Sequence, residues 1–352
     1  MTDKPRFQVF TNDQLSNDEY HDKNSWCAEY VSGSSLSDIY STCPAAWKYA
    51  VREESKALAF GTQSHTIMLE MERFNSTYRR APLVSDYKNP ITSQAALAAY
   101  LKNVVGLTGT SAKQYPDLIK MVADNDLDIN VMWLIDMIAE SQARADGVEM
   151  VKAEDYDNCV SMRSTLMNIP AHAEIINSET AYREISIFGE IFGVKVKVRI
   201  DHVDIAKNYA IHEWDEGLQE WVTTIHPEVV VITDYKTTQS VKPADFGRHA
   251  YNFGYYLKMA LQRDLFKAAY NEERPIVVRL LAQEKKEPFL PMCFRMTKDH
   301  LRIGRSQYTS VIHQFHQCKV NDIWPNYENG EPEIELPTPE FVKFMHKDLL
   351  AK

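Results

Sequence analysis

Residues 191–205 read IFGVKVKVRIDHVDI, and this stretch restricts the fold more than any other part of the chain. Phe192, Val194, Val196, Val198 and Ile200 fall on one side of an extended chain. Lys195, Lys197, Arg199 and Asp201 fall on the other. Successive strand residues point to opposite faces, so the alternation predicts a β-strand with one buried and one polar face. Such a chain must build a sheet and cover its apolar side. A second strand is predicted from Val229-Val230-Val231, which runs into ITDYKTT at 232–238. Asp234 and Lys236 are two residues apart and share a face. An acid and an amine side by side at the end of a hydrophobic strand are costly to desolvate unless something uses them.

The flanking text is helical. GSSLSDIYSTCPAAWKYA (33–50) predicts a helix with Ser34 or Ser35 near its N-cap and a stop around Pro44. A second helix is expected over 57–73 and more between 91 and 176, separated by Gly, Pro and Asn-Asp breaks. After 181 the pattern turns to strands: 182–188, 191–205, 209–214 and 217–238. One long helix over 243–272 follows, with an apolar stripe of Phe246, Ala250, Phe253, Leu257, Leu261 and Leu265. Two further strands and a last helix, 298–319, complete the order. This is an α/β or α+β chain with a mixed central sheet flanked by helices and an N-terminal helical part. The expected division is a polar, partly loose segment 1–30 and one domain over 31–340: helical to about 176, sheet core at about 180–300, C-terminal helix at 298–319. A tail covers 341–352.

Composition narrows the function. A net charge of −10 argues against a protein that coats nucleic acid by bulk positive charge, but not against a nuclease with a local basic groove. The five cysteines form no CxxC pair, which speaks against zinc or iron–sulfur sites and fits a reducing cytoplasm. No apolar stretch is long enough to span a membrane, and MTDKPRFQVF shows no secretory signal.

The chemistry gathers at strand ends. Asp201 ends the polar face of one strand, and Asp234 and Lys236 end the next. Two carboxylates on neighbouring strand ends can chelate a divalent cation of the Mg2+ type, and a nearby lysine can orient or deprotonate water and balance phosphate charge. That is the logic of metal-assisted phosphodiester hydrolysis. An Asp-x-Lys triplet alone is common and reads first as a surface ion pair at a strand end; the upstream Asp201 weighs against that reading. The Lys195/Lys197/Arg199 row reads as a solvated strand face, with contact to a DNA phosphate from Lys197 and Arg199 as the other reading.

The ordered set resembles the PD-(D/E)XK nuclease superfamily, and within it the RecE-type exonucleases (exonuclease VIII), related to lambda exonuclease and the RecB nuclease domain. The matching pieces are SGSSLSDIYSTCPAAWKYA, ALAFGTQSHTIMLEMERF, YREISIF…GVKVKVRIDHV, ITDYKTT and GRSQYTSVIHQFHQCKVNDIWPNY, spread over about residues 30–340. The resemblance implies a PD-(D/E)XK restriction-endonuclease-like core. It implies Asp201, Asp234, His65 and the Tyr235 carbonyl as metal ligands, Lys236 as the catalytic lysine, and Glu184 as holder of a ligand or water. It places Ser34 where lambda-type enzymes bind a DNA 5′-phosphate. It further implies a Mg2+-dependent (or Mn2+-dependent) 5′-to-3′ exonuclease acting on double-stranded DNA ends and releasing 5′-mononucleotides. A single-strand annealing protein as partner and a ring-shaped homo-oligomer, trimer or tetramer, are implied as well. One departure stands out. The family's helix after the Asp-x-Lys strand carries Y-x-x-Q, whereas here Tyr251 is followed by Gly254, with Gln262 further on. Tyr251 remains a candidate for contact with the scissile phosphate. The alternatives are a single-strand or endonucleolytic relative, a non-cleaving DNA-binding module on the same fold, and a metal-dependent hydrolase of small molecules.

Overall fold

The computed structural model describes residues 7–51, 56–327, 333 and 335–347. The first part alternates short strands with helices: β1 (Gln8–Phe10), α1 (Asn17–His21), β2 (Val31–Ser32), α2 (Gly33–Ser41), α3 (Pro44–Tyr49), α4 (Lys56–Leu69), α5 (Met71–Thr77) and β3 (Tyr78–Arg80). Then come α6 (Gln94–Asn103), α7 (Tyr115–Asp124), α8 (Met132–Asp146), β4 (Glu149–Val151), α9 (Ala153–Met167) and α10 (Pro170–Asn177). The sheet core follows with β5 (Tyr182–Ile191), β6 (Val194–Asp215), β7 (Glu220–Thr238), α11 (Pro243–Asn252), α12 (Tyr255–Tyr270), β8 (Ile276–Glu284) and β9 (Pro291–Arg295). Helices α13 (Lys298–Asn321) and α14 (Glu340–Met345) close the chain. No helix among the described residues is long and apolar enough to cross a membrane.

The main sheet runs β1-β5-β6-β7-β8-β9 and is mixed: β7 and β8 pair in parallel, the other neighbours along this path antiparallel. Alternation along the strands sends side chains to opposite faces. Val230, Ile232, Leu280 and Ala282 join the larger core under α2, α11, α12 and α13. Tyr235 and Leu281 join a second core with Met68, Met162 and Leu166 from α4 and α9. Helices α6 and α7 close a separate apolar cluster around Leu97, Leu101 and Leu118. The architecture is the expected mixed α/β one.

Several local expectations are corrected. Residues 191–205 are not one strand. Phe192 and Gly193 have φ of 51° and 76° and form the two-residue turn of a hairpin between β5 and β6. Phe192 is therefore off the buried face; it is 55% exposed and stacks on His313. The strands expected at 191–205 and 209–214 are one continuous element, β6. The 243–272 helix is two, because Gly254 (φ 67°) turns the chain between α11 and α12 and leaves Phe253 exposed. The 57–73 helix breaks at Glu70. Ser32, not Ser34 or Ser35, caps α2 by accepting from Ser35 N at 3.1 Å, and Pro44 opens α3. The leading segment is not loose over residues 7–30: β1 pairs with β5, and Leu15, Tyr20 and Cys27 bury against Phe188.

Candidate active site

The site lies where β7 parts from β6. Their ladder ends at the His202–Thr233 pair, so Asp201 and Asp234, next in line, have no cross-strand partner there. Further along the same edge, β2 pairs with Val196 and Lys197. The sheet is open between these two pairings. Tyr235 N, at the start of the divergence, donates to Asp201 Oδ2 at 3.0 Å. On the other edge, β5 and β6 pair at Arg183–His202 and Ile185–Ile200 but not at Glu184, which has φ of 56°. That left-handed backbone costs a non-glycine residue about 1–2 kcal/mol. Such strain persists only where surrounding structure enforces it, as at ligand sites.

Helix α4 brings His65 over this gap. Its Nε2 lies 2.9 Å from Asp201 Oδ2, and its Nδ1 lies 3.7 Å from Glu184 Oε1. Lys236 Nζ lies 2.5 Å from Asp234 Oδ2 and 3.8 Å from Asp201 Oδ2, and donates to the Tyr235 carbonyl at 3.1 Å. Arg199 Nε donates to Glu184 Oε2 at 2.6 Å, while the buried Glu184 Oε1 accepts no hydrogen bond. The cavity has a volume of about 240 Å³. It is continuous through His65, Glu184 and Lys236 with a wider cleft of about 1110 Å³ beneath α4 and α11.

Burial and mutual charge set the protonation states. Burial disfavours the His65 imidazolium, but Asp201, by charge and hydrogen bond, and Glu184 outweigh it and lift the group to about 9. Burial would raise Asp201, yet Lys236 and His65 hold it well below the usual carboxylate range. Asp234 is pushed up by burial and by Asp201, against the pull of Lys236. Glu184 is also pushed up, by burial first and by Asp201, against His65 and Arg199. Burial works against the Lys236 ammonium, but Asp234 and Asp201 hold it charged above the ordinary lysine range. One imidazole and two carboxylates offer donor atoms within 4.8 Å of one another: His65, Glu184 and Asp201. With the unpartnered Glu184 oxygen and the repulsion that raises Asp234, this set fits a divalent cation.

Of the residues singled out in the sequence, His65, Glu184, Asp201, Asp234, Tyr235 and Lys236 come together. Asp234 stands beside Lys236 rather than in the His65–Glu184–Asp201 group, and the Tyr235 carbonyl accepts from Lys236. Ser34 is exposed on the cavity wall. Lys197 and Arg199 are not on a solvated face. Lys197 is buried, donating to the Tyr20 carbonyl at 2.6 Å and lying over the Tyr20 ring. Arg199 is held by Glu184, Ser186, Asn12 and the Leu15 carbonyl. Tyr251 is half exposed with its ring edge-on to Tyr256, outside the cavity. The cavity is lined instead by Tyr255, Lys258 and Gln262 of α12. Gln262 Nε2 donates to the Arg199 carbonyl at 3.1 Å. Gly254 lies in the turn between α11 and α12 rather than on a helical face. The spacing 255, 258, 262 on one helical face was the available signal.

Residues 221–334 match a family model described as a PDDEXK-like domain of unknown function, a span of less than half the chain that contains Asp234 and Lys236. A crystal structure of a candidate exonuclease from Eubacterium rectale is similar at 12% identity, covering 95% of this chain and 98% of that one, with a TM-score of 0.42. A second solved chain, SSO0001, is similar at 13% identity over 65% of this chain and 77% of its own, with a TM-score of 0.23. No curated protein matches the chain. The mixed sheet flanked by helices is consistent with a PDDEXK-like fold.

Proposed function

We propose that the chain is a divalent-metal-dependent deoxyribonuclease, and specifically a RecE-type exonuclease that digests linear duplex DNA from the 5′ end. It would release 5′-mononucleotides and leave 3′ single-stranded tails. The observation that carries this reading is the meeting of His65, Glu184 and Asp201 beside the Asp234–Lys236 pair at the opening of the sheet. His65, Asp201 and Glu184 would hold a Mg2+ or Mn2+ ion, with Asp234 and the Tyr235 carbonyl beside them as further oxygen ligands. A divalent cation supplies Lewis-acid activation of water and neutralises charge on the phosphodiester.

The chain's own groups supply the rest. Lys236 is held as an ammonium, so in the resting site it acts as a cation and proton donor rather than a base. It is placed to offset charge building on the phosphate oxygens. Ser34 and the start of α2 line the same cavity, and a helix N-terminus favours an anion such as a 5′-phosphate. Tyr255 and Lys258 line the same cavity, with Lys258 packed beside Gly33 of α2 and pulled down by burial and by Lys236. The polarity, the annealing-protein partner and a ring of three or four copies come from the family resemblance.

Linear duplex with 5′-phosphates, one strand labelled at its 5′ end and the other internally, should release mononucleotides in Mg2+ or Mn2+. EDTA and Asp234→Ala should both abolish release. Linear DNA left intact by the wild-type protein in both metals would overturn the nuclease reading. Cleavage of circular duplex would replace the exonuclease with an endonuclease.

A further inference from the structure

Beside the candidate active site is a second cavity of about 430 Å³, and the two share His21 and Ser32. Its floor is aromatic. Trp47 of α3 stacks on Trp324 at 5.8 Å and 30°, and Phe315 of α13 meets both rings edge-on. A backbone hydrogen bond from Ala45 N to the Pro325 carbonyl, at 3.0 Å, fixes the Trp324 loop against α3. Its rim carries three lysines and one carboxylate, Glu29, which is paired with Lys195. Lys48 Nζ lies 4.9 Å above Trp324, Lys319 Nζ lies 5.8 Å from the Phe315 centroid, and Lys23 lines the same wall. Among the described residues, no carboxylate stands within ion-pair distance of these three lysines, whereas the neighbouring Lys195 is paired with Glu29.

An aromatic cluster between two helix ends is by itself ordinary packing, and Trp47 and Phe315 do contact the main core. Packing does not account for three lysines gathered over it, none of them ion-paired among the described residues, in a chain of net charge −10. Aromatic faces combined with a positive rim are what a single-stranded nucleic acid requires: bases stack, and the backbone follows the cations. We propose that this groove binds a single-stranded segment of DNA, continuous with the strand whose phosphate sits at the active site. The groove's place in a reaction rests on the nuclease reading; its affinity for a strand does not.

The test separates the two. Binding of a fluorescent single-stranded oligonucleotide is measured by anisotropy in EDTA, over a range of salt, for wild type, Lys48→Gln/Lys319→Gln, and Lys102→Gln on exposed α6 as control. Hydrolysis of a small ester, thymidine 5′-(p-nitrophenyl phosphate), is followed separately with Mn2+. The double variant should bind roughly tenfold or more weakly, with a log–log salt slope shallower by about 1.4, from two contacts at about 0.7 each. The control should bind as wild type, and ester hydrolysis should be the same in all three. Unchanged affinity and slope in the double variant would overturn the groove, as would no strand binding by wild type. Groove-dependent binding without hydrolysis of ester or DNA would support the groove while the nuclease reading fails.

Discussion

Lys236 is the residue on which the metal-free site depends. Its ammonium lies between Asp234 at 2.5 Å and Asp201 at 3.8 Å, with the two carboxylates almost wholly buried. Removing one member of a buried ion cluster leaves charge uncompensated, which costs several kcal/mol when access to water is low. Lys236 itself is about a quarter exposed, so the cost is reduced by screening. Lys236→Met should therefore lose about 2–3 kcal/mol in urea unfolding in EDTA. With saturating Mn2+ the difference should shrink below about 1 kcal/mol, because a cation bound only by the folded state replaces the missing charge. An equal loss with and without metal would remove the carboxylates as its ligands. At this scale, the closeness of Asp234 and Lys236 was legible, because spacing along one strand fixes which side chains stand side by side; Asp201 joins them from the neighbouring strand, beyond the end of the ladder. The sequestration of Lys197 and Arg199 was not. It depends on Tyr20, Leu15 and Asn12 arriving from a segment nearly 200 positions away, and alternation along a strand carries no record of what covers it.

Between α11 and α12, Gly254 decides which tyrosine faces the chemistry. Its φ of 67° lies in the region glycine tolerates, and a Cβ there would sit 1.9 Å from Ser37 Oγ on α2. In a single continuous helix Tyr251 and Tyr255, four residues apart, would share one face; the turn separates them, with Tyr255 on the cavity wall and Tyr251 outside it. The sequence pattern of one apolar stripe over 243–272 could not show this, since a glycine inside a helical period is tolerated often enough to be read through. The same limit hid the Phe192–Gly193 turn inside a run that alternates on both sides of it. Gly254→Ala should destabilise the protein by about 1–3 kcal/mol from crowding against α2 together with the left-handed backbone. Oligonucleotide hydrolysis, if the nuclease reading holds, should fall even where the variant remains folded, because Tyr255, Lys258 and Gln262 all follow this turn. A variant as stable and as active as wild type would show that the turn positions nothing.

Across the whole molecule, the sheet buries titratable groups on both sides of the open strand pair, and acid should act through them. His202 on β6 is 1% exposed. Burial, reinforced by Arg183 and Arg279 and opposed by Asp204, lowers it to about 4 from an ordinary 6.5. The folded state therefore keeps His202 neutral where the unfolded chain takes up a proton. Its contribution is fully present above pH 6.5 and is lost as pH falls from 6.5 towards 4. Between pH 7.5 and 4.5 this one group should remove about 2.5 kcal/mol of stability. Other buried groups add their own pH dependence, so the absolute slope is no test. The comparison is with His202→Gln, which cannot titrate. Whatever its stability at pH 7.5, its loss on going to pH 4.5 should be smaller than that of wild type by about 2.5 kcal/mol. Urea unfolding at the two pH values measures both differences. Parallel pH profiles for the two proteins would mean that acid enters the fold elsewhere, and that the strand beside Asp201 is no weak point of the apoprotein.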